Sequence, residues 1–289
     1  MFEKILFPTD FSEYAKRALD CIAGFPGARD VILFHVVEVA ISTRGGGEIG
    51  DTFYRSGENF LREEKRYLER LNQNLRVVTA VKTSSDTAGA IIDTAEERGV
   101  SLIVIGAYGK SFVEGVLLGS VSTNVLCRLS RTNVLIMRHK IIEKMKVKTY
   151  ELFCPMILFR VLCPVDFSRY SDRSIALAGA TPGIGEVILL HVVYQGETEA
   201  EREDAVQKVK DQIEAIRIRL ATQGINVRTI VRTGNPPSEI MKVADEEDVS
   251  VIWMSSHGKG CLRDLLLGST AHDVAMNATR PVLIIRNPE

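Results

Sequence analysis

Two glycine-bearing stretches hold the residue types best suited to gripping a phosphorylated ligand. Gly106-Ala107-Tyr108-Gly109 is followed, after nine residues, by Gly119-Ser120. Ser255-Ser256-His257-Gly258 is followed, again after nine, by Gly268-Ser269. Glycine lets backbone amides come close to a ligand, and a Gly-Ser pair opening a helix offers unpaired N–H groups and a hydroxyl to an anion. One such loop is a weak signal. Two with the same internal spacing, each after an apolar run (residues 102–105 and 251–254) and before helical apolar spacing, point to a phosphate site built twice.

The duplication extends to the rest of the chain. Pro8-Thr9-Asp10-Phe11-Ser12 matches Pro164-Val165-Asp166-Phe167-Ser168, and Val31-Ile32-Leu33-Phe34-His35-Val36-Val37 matches Val187-Ile188-Leu189-Leu190-His191-Val192-Val193. The offset is larger for these pairs than for the glycine loops, so the first copy carries extra residues between its second strand and its loop. The surplus fits residues 41–57, which hold Gly45-Gly46-Gly47 and Gly50. A glycine triplet can touch phosphates, but this one lacks the strand-then-helix setting, and a mobile surface loop is the expectation.

Each copy alternates strand and helix patterns. In the first, residues 5–7 read as a strand, and Ser12 caps a helix bearing Ala15, Ala18, Leu19 and Ile22 on one face. A buried strand over 31–37, a charged helix near 58–71 and a strand over 77–81 follow. Ala88, Ile91, Ile92 and Ala95 mark the next helix. Strand 102–105, the glycine loop, a helix with Val121, Val125, Leu126 and Leu129, and strand 134–137 complete the unit. The second copy ends on a helix with Ala271, Val274, Ala275 and Ala278 and a strand over 282–285. Near-continuous apolar strands separated by helices indicate parallel sheets covered on both faces. The fold class is α/β: two doubly wound five-stranded parallel-sheet domains, over 1–138 and 159–289, joined by a linker over 139–158.

Bulk properties narrow the function. The chain has 289 residues, 45% hydrophobic and 25% charged, with a net charge of −1. Packed cores are expected, and the usual electrostatic argument for nucleic acid or an anionic membrane is missing. No apolar run approaches membrane-spanning length, and the first residues lead into a strand, so a cytoplasmic location is expected. Cys21, Cys127, Cys154, Cys163 and Cys261 form no C-x-x-C and read as reduced, mostly core-filling thiols. The basic run from His139 to Lys148 suits a solvated connecting helix better than an acidic partner.

Taken together, these motifs closely resemble the universal stress protein family in its tandem form. G-x2-G-x9-G-[S/T] is that family's ATP-binding signature, and Gly106, Gly109, Gly119 and Ser120 satisfy it. The P-x-D-F-S start, the VILxHVV strand and the closing Pro281-Val282-Leu283-Ile284-Ile285-Arg286 are also similar to the family. The resemblance implies the adenine nucleotide alpha hydrolase-like fold and an adenine nucleotide (ATP, ADP or AMP) at the carboxyl ends of the first and fourth strands, with Mg2+ or Mn2+ able to accompany it. That agrees with the rule that ligands of open α/β sheets sit where strand order reverses.

The resemblance also implies roles for single residues. Asp10, after Pro8, and Asp166, after Pro164, would accept from ribose hydroxyls or help hold a divalent ion, although Asp also serves as a turn residue here. Thr9, Val165, Val36 and Val192 would line the base, with Ile105 and Met254 packed against it. Gly106 and Gly109 would wrap ribose and phosphates, while Gly119, Ser120 and the Val121 amide would meet the phosphates where the helix dipole favours anions. Gly258, Gly268, Ser269 and Thr270 would do the same in the second copy. Lys110 and Lys259 suit phosphate neutralisation or plain solvation, and His35 and His191 read as satisfied core residues. His257 is the histidine placed to approach a ligand. The second copy departs from the pattern: Ser255 replaces the first glycine, which is costly if a positive φ is needed there.

The reading is a nucleotide-binding stress-response protein in which the nucleotide acts as ligand or signal, with no side chain assigned as a catalytic group. A slow ATPase or adenylyl-transferring enzyme, and a structural dimerisation protein, stay open as alternatives. No Walker A sequence is present. The resemblance implies that domains pair through their final strands, whose apolar edge must be covered. The expectation is a pseudo-two-fold, intrachain pair joined through antiparallel contact of strands 134–137 and 282–285, with a homodimer of whole chains also open. Cross-linking engineered at Leu135 and Leu283 should join the two. Placement of these residues on opposite outer edges would refute the pairing.

Overall fold

The computed structural model describes residues 2–38, 46–107, 118–138, 157–194, 199–259 and 266–286. They form two compact units, divided after Pro155. In the first, β1 (Lys4–Pro8), α1 (Glu13–Ala23), β2 (Asp30–Glu38), α2 (Gly46–Leu71), β3 (Arg76–Ser84), α3 (Thr87–Glu97), β4 (Leu102–Gly106), α4 (Ser120–Arg128) and β5 (Asn133–Met137) follow in order. In the second come β6 (Arg160–Pro164), α5 (Arg169–Gly179), β7 (Glu186–Val193), α6 (Glu199–Ala221), β8 (Asn226–Thr233), α7 (Pro236–Glu246), β9 (Val251–Ser255), α8 (Ser269–Asn277) and β10 (Val282–Ile285).

Within each unit the strands are parallel, in the order β3-β2-β1-β4-β5 and β8-β7-β6-β9-β10. The chain moves outward from β1 through β2 to β3, then returns to the other side of β1 to lay down β4. Strand order therefore reverses between β1 and β4, and between β6 and β9. The register pairs Pro8 with Phe34 and Ile5 with Leu102, so β1, β2 and β4 all end at the same rim. Ile5, Leu6, Ile103, Val134, Leu162, Ile252, Trp253 and Leu283 are essentially inaccessible, which is why the strands read as unbroken apolar runs.

Helix starts follow their capping residues. Ser12 and Ser168 hold extended backbone and accept from the amides of Ala15 and Ser171, at 3.2 Å each. Asp86 and Asn235 cap α3 and α7 in the same way, and Pro236 occupies the first turn of α7, where a missing N–H costs nothing. α4 and α8 differ. Their N-caps are Gly119 and Gly268, and no side chain caps either helix.

Two expectations need correction. The stretch over 41–57 is not a loop throughout: α2 begins at Gly46 and runs unbroken to Leu71. Gly57 explains part of this, because α2 crosses β2 so closely that a Cβ there would approach His35 Cδ2 to 2.9 Å. Residues 39–45 lie outside the described residues. Nor are all the cysteines reduced. Cys21, buried in α1, is disulfide-bonded. A disulfide needs no C-x-x-C spacing, so the sequence carried no signal for it. Among the described residues Cys127 and Cys163 are free thiols, and burial pushes the Cys163 thiol far above its ordinary range, so it stays protonated. The linker helix expected after His139 also falls outside the described residues.

Trp253 is the single tryptophan, fully buried, with its indole N–H donating to the Ser174 carbonyl at 3.1 Å. Its fluorescence therefore reports unfolding of the second unit. Leu162 pairs with Ile252 beside it and is inaccessible. Leu162→Ala should destabilise that transition by about 2–5 kcal/mol in denaturant titrations.

Candidate functional site

In the first unit the ends of β1, β2 and β4 and the start of α4 surround a cavity of about 770 Å³. Thr9 is pinned at the rim from two sides. Its amide donates to the Phe34 carbonyl at 2.8 Å, and its carbonyl accepts from His35 Nδ1 at 2.8 Å. A carbonyl cannot donate, so His35 carries a proton on Nδ1. The second unit repeats both contacts: the Val165 amide donates to the Leu190 carbonyl at 2.7 Å, and His191 Nδ1 donates to the Val165 carbonyl at 2.6 Å. Burial holds His191 below its ordinary titration range, against the opposing pull of that hydrogen bond. The two strand histidines are thus satisfied, as expected, but they also fix the backbone that ends the first strand of each unit.

Two residues on, the chain bends. Phe11 and Phe167 take left-handed φ values of 62° and 56°, unusual for residues with a Cβ. Asp10 and Asp166 steady the bend by accepting from the amides of Ser12 and Ser168, at 3.0 Å each. The turned rings lie on the histidines, Phe11 on His35 with centroids 4.4 Å apart and Phe167 on His191 at 4.8 Å. Phe60 from α2 then packs on Phe11 at 5.1 Å. The D-F-S tripeptide marked the aspartate but gave no sign that the phenylalanine turns left-handed.

Of the residues expected at the first site, Pro8, Thr9, Asp10, Val36, Ile105, Gly106, Gly119, Ser120 and Val121 all line this one cavity. Gly109, Tyr108 and Lys110 lie outside the described residues. The loop returns to its strand where the Gly119 amide donates to the Ala107 carbonyl at 2.7 Å, and the Ser122 hydroxyl donates to the Gly106 carbonyl at 2.7 Å. With φ of −69°, Gly119 adopts backbone open to any residue. Its value is the absent side chain, which leaves the first amides of α4 facing the cavity, at the positive end of the helix dipole.

The second site has its own side-chain contacts. Asp166 Oδ2 accepts from the Lys259 amide at 2.7 Å, and a Cβ on Gly258 would run into that carboxylate. Burial alone would raise the Asp166 pKa, but hydrogen bonds from Ser168, Ser171 and Lys259 outweigh it and hold the carboxyl below the ordinary range. The Gly268 amide donates to the Ser256 carbonyl at 2.8 Å, reproducing the closure of the first loop. Ser255 ends β9 without a positive φ, so serine is unstrained there, and its hydroxyl donates to the His257 carbonyl at 2.7 Å. His257 Nδ1 pairs with the Ser256 hydroxyl at 2.8 Å, and its ring faces Tyr170. Pro164, Val192 and Met254 end or nearly end β6, β7 and β9, and Ser269 and Thr270 open α8. Lys259 Nζ lies 5.5 Å from the Phe167 ring centroid.

One residue near the first site escaped the sequence reading. Glu64 of α2 accepts from the Thr9 hydroxyl at 3.0 Å, and its second oxygen is buried without a hydrogen-bond partner. The signal was a carboxylate between Leu61 and Leu68, on the stripe that α2 buries.

The model of the universal stress protein family matches residues 1–138 and again 158–286. Universal stress protein MJ0577 of Methanocaldococcus jannaschii is 32% identical over 152 residues, covering 44% of this chain and 94% of its own. A universal stress protein of Methanothermobacter thermautotrophicus is 33% identical over 136 residues, covering 44% of this chain and 89% of its own. The solved structure of a universal stress protein from Archaeoglobus fulgidus shares the fold with a TM-score of 0.70 at 24% identity, covering 99% of this chain and 97% of that one. With both halves matched, the chain belongs to the universal stress protein family.

Proposed function

We propose that this stress protein binds an adenine nucleotide in the first unit, and that the nucleotide is its ligand or signal. The observation that carries the reading is the cavity between β1, β2, β4 and α4. It combines an uncapped helix start, a strand-end aspartate and an apolar wall from Val36 and Ile105. These are the three surfaces that phosphates, ribose and base require: amides at the positive end of a dipole for the anion, a carboxylate acceptor for hydroxyls, and branched aliphatic side chains for the flat ring. Among the described residues no cluster of His, Cys, Asp and Glu is arranged for a metal. Mg2+ or Mn2+ would therefore arrive held mainly by the nucleotide's phosphates.

The second unit binds more weakly in this reading, because only the first carries the whole glycine pattern, Ser255 standing in the second where Gly106 stands in the first. No helix among the described residues is long and apolar enough to cross a membrane, and the proposed ligand is a soluble one.

ATP with magnesium should raise the melting temperature of nucleotide-free protein. Ligand at 100-fold its Kd contributes about 2.7 kcal/mol for one site, and no shift at millimolar ATP would return the chain to a structural role. Calorimetry should also separate the units. Gly109→Val should remove most binding by pushing a side chain into the phosphate path, and Gly258→Val should remove much less. Two sites of equal affinity would contradict this.

A further inference from the structure

Glu64 is a carboxylate on a helix stripe whose counterpart in the second unit is apolar. The buried face of α2 carries Leu61, Glu64 and Leu68, and that of α6 carries Ile213, Ile216 and Leu220 with identical spacing. The partner changes with it, since Thr9 of the first unit is matched by Val165 in the second. The second unit therefore has no hydroxyl at the position from which the first donates to a carboxyl.

The polar pair is not needed to build the turn. The Thr9 hydroxyl accepts from the Phe11 amide at 3.1 Å, which at first suggests a structural task. Yet Phe167 takes the same left-handed conformation after Val165, which has no hydroxyl to offer. A half-satisfied buried carboxyl is costly to keep, and the second unit makes the same turn without one.

We propose that Glu64 makes nucleotide binding in the first unit respond to pH, by adding or removing a negative charge behind Thr9 and beside Asp10. This rests on the nucleotide reading given above. Burial pushes the Glu64 carboxyl up to about 7, with the Thr9 hydrogen bond opposing, the charge of Asp10 adding to the rise, and Lys16 opposing. The charged and titratable groups around it are Asp10 after β1, Glu13 and Lys16 from α1, His35 from β2 through the Thr9 carbonyl, and Glu63, Arg66 and Tyr67 on α2 itself. Below about pH 7 the folded protein keeps the proton and Glu64 is neutral; above it, Glu64 is an anion. A polyphosphate is repelled by that anion, so affinity falls as pH rises, and binding near neutrality takes up a proton. The same sign holds for folding: the folded state holds a proton that the unfolded chain has released, so Glu64 costs stability as pH rises toward about 7.

Calorimetric titration of the full chain with ATP and magnesium at pH 6, 7 and 8 tests this, with Glu64→Gln alongside. Because ATP and the other groups titrate equally in both proteins, the ratio of the two affinities isolates Glu64. Wild-type affinity should fall relative to Glu64→Gln by about threefold or more between pH 6 and 8, within the limit of about tenfold per pH unit set by one linked proton. Proton uptake at pH 7, read from buffers of different ionisation enthalpy, should be larger in wild type. Binding by both proteins with parallel pH profiles overturns the inference while leaving the nucleotide reading intact. No ATP binding by wild type at any pH overturns both. Should Glu64→Gln not fold, Glu64→Ile with Thr9→Val replaces the polar pair by hydrocarbon and serves in the same comparison.

Discussion

The reversal of strand order between β1 and β4 is the constraint on which everything else depends. The chain leaves β1 toward β2 and leaves β4 toward β5, so the segments that follow these neighbouring strands diverge. A gap opens between them at the rim, and backbone groups that would otherwise pair across it are left facing the opening. Only a parallel sheet with helices on both faces produces this, because every crossover must return the chain to the same starting edge. The histidine contact to the Thr9 or Val165 carbonyl then keeps the end of the first strand from fraying into the gap. An uncapped helix start completes the far wall.

Both units have this frame, but they have furnished it differently. In the first, Thr9 answers to Glu64, Phe11 is covered by Phe60, and the cavity reaches from Val36 to Ser120. In the second, Asp166 is bonded by the loop above it and His257 is turned toward Tyr170 and Ser256. Backbone geometry has been retained across the duplication: the left-handed phenylalanine recurs, with φ of 62° and 56°, and the serine cap and the amide that closes the loop recur within tenths of an ångström. Side-chain polarity has drifted. The frame tolerates this because its own stability comes from apolar strands and backbone hydrogen bonds, with little contribution from the groups that face the opening.

Much of the frame was legible because its signals are local. Apolar runs marked the strands, Ser12 and Ser168 marked helix starts, and the glycine spacing marked the loops. The strands and helices assigned to the first copy all appear, although α2 begins earlier than the charged pattern suggested, and the second unit repeats their order. That helix was missed at its start because three glycines argue for a loop on propensity alone. Close packing of Gly57 on His35 is a tertiary effect that propensity does not contain. The Cys21 disulfide was missed for the same kind of reason, since what meets a buried thiol is set by tertiary packing.

By itself, then, the sequence determined the α/β class, the two-fold duplication and the set of residues that end at one rim, because periodicity and turn chemistry act over a few neighbouring residues. Tertiary structure alone decided what those residues do to one another. It gave Phe11 and Phe167 their left-handed turns, put the Lys259 amide on Asp166, and brought Glu64 from α2 to the Thr9 hydroxyl. These contacts join segments far apart in the chain, and whether a carboxyl is solvated or buried depends on what packs over it, a quantity that no local pattern encodes.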